Sequence, residues 1–218
     1  MMRYYLDEHS TDLDALQERL RSTDLIPSQE PLLDGMAENA TSISNAGVTS
    51  LADLRSALKT EKSLTLLSKN SGVDAGYLRL LRRVINGFFP KPRPLKDIDW
   101  LEAGAVNNLD KAGIKNTRQL FDAASDGASE LAKRTGIGQK DAQEFLAVCD
   151  LCRIQWVSPT FARMLVVAGA TNAAAVAGAN PEALFNAIKK ANQDAKFYKG
   201  TVGLRDIKRL VAAARYVP

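Results

Sequence analysis

The stretch Thr135–Leu146, TGIGQKDAQEFL, carries the residue types best suited to gripping an anion. Gly136 and Gly138 flank the single apolar Ile137, and Ala142 and Phe145 follow at helical spacing, so a tight turn opens an amphipathic helix. Backbone amides at such a turn and helix N-terminus attract negative charge, and Lys140 in the first turn adds a cation beside them. A phosphate backbone is the matching ligand. Lys133 and Arg134 precede this turn, while Gly203 near the C-terminus is followed by Arg205, Lys208 and Arg209. These nine residues form the candidate nucleic-acid-binding set, with Lys189, Lys190 and Lys199 nearby in sequence. Contacts of this kind carry no base information and weaken as salt rises. The plainer alternative is that the two glycines only let two helices meet closely.

Other chemistry finds few residues to use. Cys149-Asp150-Leu151-Cys152 has the spacing of a redox pair or of half a zinc site, but no second pair completes a metal centre. Both cysteines continue the apolar face of Ala142 and Phe145, which favours packing over redox chemistry. His9, the only histidine, has no partner nearby in sequence for catalysis or metal binding and reads as a surface residue. No nucleophile elbow, nucleotide-type phosphate loop or acidic cluster at metal spacing occurs, and no lysine stands out for attack on an opened sugar. The expectation is a non-enzymatic protein without metal, cofactor or small-molecule substrate.

The elements that position these residues are helical. In 218 residues of 45% hydrophobic content, aromatics make up 6% and β-branched runs are scarce, which points to an all-α chain of one large or two to three small domains. No apolar run approaches the roughly 20 residues of a membrane span. The N-terminus lacks the charge-then-apolar order of a signal peptide, and two cysteines make no disulfide framework. A cytoplasmic protein is expected. Charge is uneven: residues 1–50 hold 3 Lys/Arg against 9 Asp/Glu, and residues 151–218 hold 10 against 3. The basic end can meet a polyanion or the acidic start of its own chain.

From Leu32 onward the chain repeats a pattern. Ile43…Ala46-Gly47-Val48, Leu109…Ala112-Gly113-Ile114 and Leu165…Ala168-Gly169-Ala170 align, with Leu54, Leu120 or Val176 seven residues after each glycine. Each glycine suits the left-handed residue that ends a helix. Second halves begin at Gly72-Val73-Asp74, Gly136-Ile137-Gly138 and Thr201-Val202-Gly203. Ser50 with Asp53, Asn116, Ser158-Pro159 and Asn180-Pro181 read as helix starts. Trp100 and Trp156 each lie thirteen before a repeat glycine and are expected to seal a core, with base stacking the alternative. Alternating prolines in Phe88-Phe89-Pro90-Lys91-Pro92-Arg93-Pro94 forbid helix and mark a boundary. The expected order is an N-terminal helix and connector over 1–31, a first repeat domain over 32–87, a linker over 88–97 and a two-repeat domain over 98–218.

With these repeats the chain resembles tandem helix-hairpin-helix (SAM-like) proteins, and it is similar to a bacterial family known only as a domain of unknown function (family 4332). The residues that carry this are IDWLEAGAVNNLDKAGIKNTRQL, LAKRTGIGQKDAQEFL, CDLCRIQWVSPTFARMLVVAGA and NPEALFNAIKKANQDAKFYKG. The resemblance implies short helices in tandem and, from the wider group, DNA binding through turn amides on phosphates. The turns at Asp34-Gly35-Met36, Trp100-Leu101-Glu102 and Trp156-Val157-Ser158 lack both outer glycines, and Asp74 replaces the second in the first repeat. Any duplex contact is therefore expected at Gly136–Gly138 and around Gly203. Two functions stay open: a non-specific nucleic-acid backbone binder, and a protein-interaction scaffold.

Overall fold

The computed structural model describes residues 3–196 and 198–218, and every regular element among them is a helix. The chain divides into two compact units, Leu6–Phe89 and Met1–Tyr5 with Pro90–Pro218. The unit Leu6–Phe89 holds α1 (Leu13–Ser22), α2 (Met36–Asn45), α3 (Leu51–Leu58), α4 (Glu61–Ser71) and α5 (Ala75–Gly87). Leu32, Leu54, Leu64 and Leu78 are fully buried at its centre. Phe88 is buried under the Arg19 guanidinium, 3.6 Å from its ring centroid, so the start of the proline-rich stretch is anchored to this core.

The second unit holds α6 (Ala103–Lys111), α7 (Thr117–Ala123), α8 (Ala128–Thr135), α9 (Gln139–Leu151), α10 (Pro159–Val167), α11 (Ala173–Ala177), α12 (Pro181–Ala195) and α13 (Leu204–Ala214). It has two cores. Leu109, Leu120, Leu131 and Phe145 belong to one, and Leu165, Val176, Ile207 and Leu210 to the other. Helix α9 serves both, because Ala142, Phe145 and Cys149 face the first while Val148, Leu151 and Cys152 face the second. A helix that is apolar on two sides must be sandwiched, and the sequence of α9 leaves it little choice.

One local device recurs three times. Gly47, Gly113 and Gly169 have φ of 89°, 78° and 94°, in the left-handed region where glycine alone escapes a Cβ penalty. The next residue's N–H then bonds back to the helix, Val48 to the Ile43 carbonyl (3.4 Å), Ile114 to that of Leu109 (2.9 Å) and Ala170 to that of Leu165 (2.9 Å). Three residues after each glycine, Ser50, Asn116 and Asn172 cap α3, α7 and α11 with their side chains. The first helical N–H finds a partner each time: Leu51 donates to the Thr11 carbonyl (2.8 Å) and Thr117 to that of Arg93 (3.0 Å). At the third place a carboxylate stands in for the carbonyl, since Ala173 N–H donates to Asp150 Oδ2 at 2.6 Å.

That substitution brings a charge into the interior, and Arg153 answers it. Its buried guanidinium pairs with Asp150 and also donates to the carbonyls of Tyr4 (3.2 Å), Arg3 (2.9 Å) and Pro218, while lying 4.3 Å from the Phe121 ring centroid. A buried charge needs this density of partners. The N-terminal segment is thereby tied in, with Tyr4 Oη hydrogen-bonded to Thr117 Oγ1 at 3.2 Å and Tyr5 Oη donating to the Pro90 carbonyl at 2.8 Å. No helix among the described residues is long and apolar enough to cross a membrane.

Candidate nucleic-acid interface

The turn between α8 and α9 takes three residues. Gly136 ends α8 in the left-handed region (φ 70°) and its N–H reaches the Ala132 carbonyl at 2.8 Å. Ile137 is buried as the plug of the turn, and Gly138 opens α9 with no side-chain cap. Both glycines and Lys140 are exposed. The first amides of the 13-residue α9 thus lie at the surface beside a cation. Lys140 forms no ion pair among the described residues. Lys133 stands 3.7 Å from Glu130, and Arg134 donates to the Ala123 carbonyl at 2.8 Å, which steadies the end of α7. Besides Glu130, an acidic group stands at the turn itself: Asp141 Oδ2 lies 2.9 Å from where a Cβ on Gly138 would stand.

Most of the other turns hold an anion surrogate of their own. Glu102 caps α6, its two oxygens accepting Gly104 N–H (2.9 Å) and Ala105 N–H (2.7 Å), and these bonds hold its carboxyl below the usual range. Asp74 accepts Tyr77 N–H at 2.8 Å, and Ser158 accepts Phe161 N–H at 3.2 Å. The turn before α2 has Gly35 at φ 59° without a side-chain cap, with Glu38 Oε2 3.9 Å from where a Cβ on Gly35 would stand.

Thr201-Val202-Gly203 leads directly into α13, at the end of a longer connection than the one before α9. Helix α12 ends at Ala195 with Lys196 in the left-handed region (φ 50°), so the connection to α13 runs over 196–203. Asn192 holds part of it by donating to the Tyr198 carbonyl (2.9 Å) and accepting its N–H (2.8 Å). Gly203 N–H is taken by Asp206 Oδ2 at 2.9 Å. Lys208 pairs with Glu182 at 3.3 Å, and Arg209 lies over the Trp156 ring, 4.5 Å from its centroid. Arg205, Lys189, Lys190 and Lys199 are exposed.

The nine sequence-selected residues therefore fall into two groups over different cores. Gly136, Gly138, Lys133, Arg134 and Lys140 gather at the α8–α9 turn beside Leu131 and Phe145, whereas Gly203, Arg205, Lys208 and Arg209 sit at the start of α13 above Ile207 and Leu210. The expected core-sealing role fails for Trp156, which is 51% exposed. Trp100 is half-buried, under the Arg163 guanidinium.

A family model described as "Domain of unknown function (DUF4332)" matches residues 102–217. The chain belongs to that family. The DUF4332 span opens at Glu102, the cap of α6, and includes α13, so it takes in both groups of basic residues and most of both cores of the second unit, Leu95 and Ile98 lying before it. No curated protein and no solved structure matches the chain.

The two cysteines lie in the interior of this DUF4332 fold. Cys149 and Cys152 are free and buried. Burial pushes the Cys149 thiol well above its ordinary range, with the neighbouring charges of Cys152 and Asp150 adding to it, and burial pushes the Cys152 thiol up to about 12. Neither supplies a thiolate near neutral pH. No group of three or more His, Cys, Asp or Glu placed to hold a metal occurs among the described residues.

Proposed function

We propose that the chain is a non-enzymatic, cytoplasmic module of tandem helix-hairpin-helix repeats that binds the nucleic-acid backbone without reading sequence, centred on the α8–α9 turn. The observation that carries this is the uncapped, exposed N-terminus of α9 with Lys133, Arg134 and Lys140 around it. Amides there, a helix dipole and three cations form a phosphate seat that needs no base contact. The three recurrences of the left-handed glycine and the following cap support the repeat reading. Titration of a labelled DNA duplex at rising salt tests it: binding that fades with salt is expected, and no binding at low salt overturns it.

A protein-interaction scaffold is the second reading. Its supporting observation is that Asp74, Glu102, Ser158 and Asp206 already fill the places where other turns would meet phosphate.

A further inference from the structure

Trp156 has a backbone that its side chain does not favour. Its φ of 70° lies in the left-handed region, where a bulky residue is strained. The ring nonetheless stays 51% exposed. The Arg209 guanidinium lies over the ring, and Arg209 Nε is buried with no hydrogen-bond partner. An unmet donor on a stacked cation is a second unfavourable feature at the same place. Both border one cavity of about 280 Å³, which Phe161, Tyr198, Thr201 and Asp206 help to line. Phe161 and Tyr198 meet edge to face with centroids 5.8 Å apart.

A strained aromatic held out to solvent beside a cavity suits a flat ligand. The surroundings narrow its class: residues 181–215 of α12, α13 and their connection hold eight Lys/Arg against three Asp/Glu, which favours a polyanion over a cationic ligand. An unpaired nucleobase joins both properties, since it has π-faces for Trp156 and a phosphate for the basic surface. We propose that this cavity takes one unstacked base of a single strand, laid on Trp156, with Arg209 as the cation beside it. The proposal rests on the nucleic-acid reading but uses a different site and a different form of the ligand. DNA and RNA share the chemistry, so both enter the test.

The intact chain is titrated with oligodeoxythymidylate, oligouridylate and a DNA duplex, following tryptophan fluorescence and affinity in parallel. Quenching by at least one single strand is expected. Trp156→Gly should remove that quenching and weaken single-strand binding about tenfold, the range of one lost base stack. The same variant should melt no lower than the parent, because glycine adopts φ of 70° freely, and its duplex affinity should not change. Trp156→Asn, also tolerant of the left-handed region, should behave alike. Single-strand affinity unchanged in both variants overturns the proposal while duplex binding at α9 stands. A lower melting temperature in both overturns it by showing a packing role for the ring. Single-strand binding with quenching but no duplex binding upholds the cavity and removes the α8–α9 reading; no binding of any probe removes both.

Discussion

At Gly138 the demand for glycine is spatial, since φ is −61° and any residue adopts it. A Cβ there would lie 2.9 Å from Asp141 Oδ2, the mobile end of a side chain that can move aside. Gly138→Ala is therefore expected to keep stability within about 0.5 kcal/mol while weakening duplex binding, because the methyl group occupies the approach to the α9 amides. Asp141→Asn removes the opposing charge and should strengthen duplex binding several-fold at low salt; weaker binding in that variant would contradict the proposed phosphate seat. The glycine pair and Lys140 were legible in sequence because turn and charge are local. The partners of Arg134 and Lys208, and the stacking of Arg209 on Trp156, were not legible, since they join residues 11, 26 and 53 positions apart. Nothing in the residue type announced that a tryptophan would adopt a positive φ.

Among the elements, the helix ends were the most readable. Ser50, Asn116, Ser158 and Asn180 each accept the amide three residues on, as their types imply. The length of the connection between α12 and α13 was not legible, because its left-handed residue is Lys196, which carries no glycine signal, and because Asn192 closes it through its side chain. A quantitative expectation attaches to Gly47, Gly113 and Gly169. All three have positive φ, and a Cβ at each would meet nothing within 4 Å. Alanine should destabilise through backbone strain alone, by about 1 kcal/mol and by similar amounts at the three places. Thermal melts of the single variants measure this; a much larger loss at one glycine would show that the recurrent turn is not doing the same job there.

For the whole molecule, the helical class followed from composition and spacing, and Asp150, Arg153 and the N-terminal segment add a buried polar cluster that no local pattern shows. Buried acids beside it predict an alkaline limit for the fold. Tyr4, Cys149 and Cys152 all have pKa values raised mainly by burial, Cys152 to about 12. A group raised in the folded state contributes its stability below the unfolded value, here about 8.5 for a thiol, and loses it as pH climbs towards the folded value. Denaturation midpoints should accordingly hold steady to about pH 8 and fall between about pH 9 and 12, and Cys152→Ala should flatten part of that fall. A flat profile across this window would show that these groups are open to solvent.

The central claim, a phosphate seat at the α8–α9 turn, meets its most direct test in duplex affinity measured against salt for the parent chain and for Lys140→Glu. Three phosphate contacts predict an affinity loss of about 40-fold between about 50 and about 200 mM salt, and removal of one contact lowers the log–log slope by about one. A parent slope near three with a shallower, weaker Lys140→Glu is the predicted result. Equal affinity and equal slope in the two proteins would contradict it.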